Sequence, residues 1–85
     1  MDAHRIEALV RDTVTAVLSV DPATLTPDLD LAALPTFSSF RIVTILERVE
    51  DALGVEVDAD ELTPDNLHRL DTLCALFLRA KTKVA

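Results

Sequence analysis

The sequence predicts an all-α fold, with three principal helices, a short fourth, and a long loop between the first two. Three observations lead there. Apolar residues recur at helical spacing in three stretches, the β-favouring runs are very short, and the chain holds a single Gly. At 85 residues it is expected to form one domain, 1–85, near the lower end of what folds alone without staples. Apolar residues make up 49% of the chain, enough for a compact core. With three Phe and no Trp or Tyr, Leu, Val, Ile and Ala must fill it.

The first helix is expected from Asp2, its N-cap, to Leu18. Ile6, Leu9, Val10, Thr13/Val14 and Val17 fall on one apolar stripe. The stretch "SVDPATLTPDLDLAALPTF" follows, with three prolines and scattered Asp and Thr. It reads as a long ordered loop, anchored to the core by Leu25, Leu29, Leu31 and Leu34. Loops of this length are uncommon in compact domains and often functional. The second helix is predicted over Ser39 to Leu53, with Ile42, Ile45, Leu46, Val49 and Leu53 inward and Gly54 as a left-handed stop. "VEVDADELTPDNL" reads as a short apolar alternation pinned by Val55 and Val57, then a turn or single-turn helix. The last helix starts near Leu70 and turns Leu73, Cys74, Leu76 and Phe77 inward. Arg79, Lys81 and Lys83 suit the negative pole at its end.

Charge and composition exclude several functions. A net charge of −7 opposes binding to nucleic acid or to an anionic membrane surface. It suits solubility and docking to basic patches on proteins. Cys74 is alone, so neither an internal disulfide nor a Cys-based zinc site can form. "MDAHRIEALV" has no uninterrupted apolar run, and no window approaches a membrane span. A cytoplasmic monomer is the default expectation.

Catalysis finds little support. His4 and His68 lie far apart, at positions expected to be exposed and without a metal-ligand partner. Cys74 sits on an inward stripe, where a buried apolar role is the ordinary one. No calcium loop and no glycine-rich phosphate cradle is present, and Asp58, Asp60 and Glu61 read as a solvated helix start. The serines remain. Ser38 and Ser39 stand between Phe37 and Phe40 at the mouth of the second helix. Capping is the commonest use of Ser there. A cap alone needs neither a long loop leading in nor a Phe on each side.

Ser38-Ser39-Phe40, then "RIVTILERVEDAL", then Gly54-Val55-Glu56-Val57 and "LTPDNLHRLDTLCALF", together resemble the acyl and peptidyl carrier proteins. These are the thiolation domains of fatty-acid, polyketide and nonribosomal-peptide synthesis. The resemblance covers nearly the whole chain and implies a four-helix carrier bundle, free-standing and not itself an enzyme. The family's Asp-Ser-Leu motif carries 4'-phosphopantetheine on its Ser, at the start of the second helix. Matching Ser39 to that Ser puts Phe40 in the Leu slot and Ile45, Val49 and Leu53 on core positions. Matching Ser38 instead puts Ser39 in the Leu slot and turns the stripe by about 100°. Ser39 is therefore the expected attachment residue. Two departures stand out: Ser38 replaces the Asp and loses a charge, and Phe40 is larger than Leu.

The resemblance implies as partners a phosphopantetheinyl transferase, an acyl- or aminoacyl-activating loading enzyme, and downstream biosynthetic enzymes. Docking is expected on the exposed face of the second helix, which reads Arg41, Thr44, Glu47, Arg48, Glu50 and Asp51. Glu47, Arg48 and Asp51 are the expected docking charges, with Phe37 and Phe40 as an apolar rim. Core packing is the commoner fate for a Phe at position 40. The corresponding face of fatty-acid carriers is rich in acidic residues, whereas mixed charge looks more like carriers of specialised polyketide or nonribosomal-peptide pathways. The rival readings are an unmodified helical interaction module, in which the serines only cap, and a small DNA-binding domain, which the acidic charge opposes.

Overall fold

The computed structural model describes residues 3–84, for the last two the backbone alone. The N-cap expected at Asp2 and the side chain of Lys83 lie outside the described residues. Helix α1 spans Ala3–Leu18 and buries Ile6, Val10, Val14 and Leu18, an i, i+4 series on one stripe. Leu9 and Val17 pack beside them, partly buried. Ser19 ends the helix with a positive φ of 55°, the left-handed turn that reverses the chain. The Arg41 guanidinium then donates to the Val17 carbonyl at 3.0 Å, satisfying an acceptor that the helix end leaves open.

The long loop is ordered, and its leucines are the reason. Leu25 and Leu31 are buried, while Leu29 and Leu34 pack partly against the core. Two 3-10 turns, Pro22–Thr24 and Leu31–Ala33, shape it between these anchors. Each is capped by an aspartate: Asp21 accepts from the Ala23 N–H at 2.9 Å and Asp30 from the Ala32 N–H at 3.0 Å. Arg11 reaches across from α1 and donates to the Leu25 carbonyl at 2.7 Å. The turns add detail to a segment read from the sequence only as loop.

Helix α2 runs Ser39–Leu53 and buries Ile42, Ile45, Leu46, Val49 and Leu53, the expected stripe. Gly54 closes it with φ 66°, and both its N–H and that of Val55 return to the Glu50 carbonyl. Lys81 donates to the Leu53 carbonyl at 3.0 Å, capping α2 from the far end of the chain. Val55 and Val57 are buried, as expected of pins. A 3-10 turn at Ala59–Glu61 leads to the one-turn helix α3, Pro64–Leu67. Thr63 caps α3 by accepting from the Asn66 N–H at 3.3 Å.

Helix α4 spans Leu70–Val84 and packs on α1 and α2. Its first N–H groups are satisfied by the long loop: Leu70 donates to the Leu29 carbonyl at 3.2 Å and Asp71 to that of Pro27 at 2.9 Å. The Leu70 bond and that from the Leu31 N–H to the His68 carbonyl at 2.6 Å form an isolated antiparallel bridge, Asp30 to Arg69. The bridge ties the loop to the α3–α4 junction. Leu73, Leu76 and Phe77 of α4 meet Val10, Val14, Ile45 and Val49 in a fully buried centre. Among the described residues no polar or charged residue is buried as a whole, although the Thr36 Oγ1 atom is. None of their helices is long and apolar enough to cross a membrane.

Two expectations change. His68, read as an exposed histidine, is half-buried, because the bridge draws the α3–α4 junction against the loop. Phe40, for which core packing was the commoner fate, is 80% exposed. It lies nine positions before Val49, about half a turn around the helix from the core stripe.

Candidate functional site

Two adjacent hydroxyls sit at the N-terminus of α2 and differ in what they do. Ser38 is extended, with φ −155° and ψ 160°, and its Oγ accepts from the Arg41 N–H at 3.1 Å. Its carbonyl accepts from the Ile42 N–H at 3.0 Å. Ser38 is the N-cap. Ser39 is the first helical residue, exposed, and its hydroxyl takes part in no hydrogen bond among the described residues. The N–H groups of Ser39 and Phe40 also lack a partner there. An unused hydroxyl thus stands beside two unused donors at the positive pole of a 15-residue helix.

The approach to this point is fixed from behind. The Phe37 N–H donates to the Leu34 carbonyl at 3.1 Å, closing the turn through Pro35. Phe37 is half-buried, packs against the core, and meets the His68 ring edge-on at 5.2 Å and 82°. Thr36 Oγ1 is buried without a hydrogen-bond partner. Phe37, expected beside Phe40 on an apolar rim, thus faces inward because its ring packs on the core and on His68, whereas Phe40 projects into solvent beside Ser39, joined by Val43 at 47% exposure. Sequence reasoning passed over Val43, although its place one turn after Phe40 and off the buried stripe was a readable signal.

The charges of α2 divide into engaged and free. Arg41 is occupied by the Val17 carbonyl, and Thr44 returns its hydroxyl to the Phe40 carbonyl at 3.1 Å. Glu50 accepts the Val57 N–H at 2.8 Å, so it pins the strand-like segment after α2. Glu47, Arg48 and Asp51 are exposed and make no hydrogen bond or ion pair among the described residues. The three side chains singled out from the sequence are thus those left without an intramolecular task.

Cys74 is buried, and its thiol is pushed up to about 11, chiefly by burial, with Glu7 and Asp71 also raising it and Arg11 opposing. Among the described residues no group of three or more His, Cys, Asp or Glu could hold a metal ion.

The family model described as the phosphopantetheine attachment site matches residues 8–77. The fold is similar to the solution NMR structure of a holo acyl carrier protein from Nitrosomonas europaea, with a TM-score of 0.74. The two chains are 30% identical, and the match covers 92% of this chain and 95% of that one. No curated protein matches the sequence.

Proposed function

The chain belongs to the phosphopantetheine-attachment family of carrier proteins, which hold a covalent 4'-phosphopantetheine and are not catalysts, and from that premise we propose that Ser39 bears the arm. The observation that carries this assignment is the division between the two hydroxyls. Ser38 Oγ is committed to the Arg41 N–H, and Ser39 Oγ is exposed and uncommitted.

The residues present fit the group. A phosphodiester on Ser39 Oγ would sit at the N-terminus of α2, where the free N–H groups of Ser39 and Phe40 favour an anion. When bound, the arm supplies a terminal thiol that holds cargo as a thioester. Ser39 contributes the oxygen nucleophile: its Oγ bonds to the phosphopantetheinyl phosphorus of coenzyme A as the diphosphate linkage breaks, adenosine 3',5'-bisphosphate leaves, and a transferase takes the hydroxyl proton. Ser38 keeps the first turn wound, and Phe37 fixes the approach from the core side. Exposed Phe40 and Val43 offer apolar contact, and Glu47, Arg48 and Asp51 offer charge to visiting enzymes.

The partners in this reading are a phosphopantetheinyl transferase, an acyl- or aminoacyl-activating loading enzyme, and the enzymes that use the thioester. The mixed charge of the α2 face supports service in a specialised polyketide or nonribosomal-peptide type of pathway. Incubation of the chain with coenzyme A and a broad-specificity phosphopantetheinyl transferase, followed by intact mass, tests the carrier reading. A gain of one 4'-phosphopantetheine is expected. No gain, where a reference carrier is fully converted, would favour an unmodified interaction module.

A further inference from the structure

The backbone of His68 is held from two sides by bonds that do not use its side chain. Its N–H donates to the Pro64 carbonyl at 2.9 Å, and its carbonyl accepts the Leu31 N–H at 2.6 Å. The imidazole is left to meet one aromatic ring, that of Phe37, edge-on at 5.2 Å. Phe37 immediately precedes the residue that caps α2. On its other side Thr36 keeps a buried hydroxyl with no partner. An orphaned buried hydroxyl is costly, and opening the segment would relieve it by admitting water. The Phe37 ring is the side chain through which the stretch from Thr36 to Ser38 packs on the core and on His68.

We propose that His68 is a positioning residue for the attachment hydroxyl: its ring holds Phe37, and through Phe37 the segment that caps α2 and presents Ser39. The proposal rests on the reading of Ser39 as the attachment residue, but its first test does not. The α3–α4 junction, distant in sequence from Ser39, thereby sets how rigidly the serine is offered to a transferase.

The test is native-state amide hydrogen exchange on the unmodified protein, read at Phe37, Arg41 and Ile42. Their N–H groups bond to the Leu34 carbonyl, Ser38 Oγ and the Ser38 carbonyl. His68→Ala should speed exchange there by about three- to tenfold, the worth of one aromatic pair, while the Phe77 amide in the core keeps its rate. Phe37→Leu, which keeps apolar bulk but loses the ring, should behave alike. His68→Phe should return exchange to within about twofold of the parent, and Thr36→Val, which removes the orphan, should slow it. With coenzyme A and a broad-specificity transferase, His68→Ala should raise the KM for the carrier and leave kcat in place. Unchanged exchange at the three amides, an equal rise at Phe77, failure of His68→Phe to restore the parent rate, or an unchanged KM would each overturn the proposal. Modification at a residue other than Ser39 would instead overturn the assignment on which it rests.

Discussion

Ser38 accepts the Arg41 N–H at 3.1 Å, and that bond gives the first of two neighbouring hydroxyls a purely structural task. Ser38→Ala should therefore lower stability by about 1 kcal/mol, the usual worth of an N-cap. Ser39→Ala should stay within about 0.5 kcal/mol of the parent, because its exposed side chain has no partner to lose. Urea denaturation of the two variants checks the contrast. Equal losses would mean that both serines cap.

The core is thin and wholly apolar, so one unpaired charge in it should be decisive. Val49 is fully buried at the centre of α2. Val49→Asp would leave a carboxylate with no partner among apolar side chains, a penalty comparable to the whole stability of a domain this small. Circular dichroism should show an unfolded chain. A cooperative melt near that of the parent would contradict the placement of this face.

Cys74 should be inert at neutral pH and should report on folding at high pH. Its thiol ordinarily loses a proton near 9.0, and burial raises that to about 11 in the fold. The protonated thiol is thus favoured by folding, and the stability linked to it is fully present below pH 9.0. It is lost as pH rises through about 11, because the unfolded chain releases the proton first. Iodoacetamide labelling at pH 8 should be slow in buffer and fast in denaturant. Rapid labelling of the folded protein would contradict a buried thiol.

The docking charges should act on rate and leave the fold alone. Glu47→Lys, Arg48→Glu and Asp51→Lys alter side chains without intramolecular partners among the described residues. Each should change loading by the cognate activating enzyme by about two- to tenfold at low salt, with smaller effects as salt is added. Stopped-flow loading rates, with helicity checked by circular dichroism, make the measurement. Unchanged rates in all three would move the docking surface toward Phe40 and Val43.

Much of this was legible in the sequence, and the limits are physical. The bounds of α2 follow from a stripe that repeats every three or four residues and from Gly54, the one residue suited to a left-handed stop. The leucines of the long loop were readable as anchors because they make up most of its large apolar residues. The exposure of Phe40 runs against its residue type and follows its angular position, which the helical count places opposite Val49. The tasks of Arg41, Glu50 and His68 were not readable. Each depends on a partner brought close only by folding: the Val17 carbonyl, the Val57 N–H and the Phe37 ring.

The central claim is that Ser39 carries the arm, and peptide-level mass spectrometry of three proteins tests it most directly. The parent, Ser38→Ala and Ser39→Ala are each incubated with coenzyme A and a broad-specificity phosphopantetheinyl transferase, then digested. The parent and Ser38→Ala should each gain one 4'-phosphopantetheine on the peptide that contains Ser39, and Ser39→Ala should gain none. Modification of Ser39→Ala, or loss of modification in a folded Ser38→Ala, would contradict the assignment.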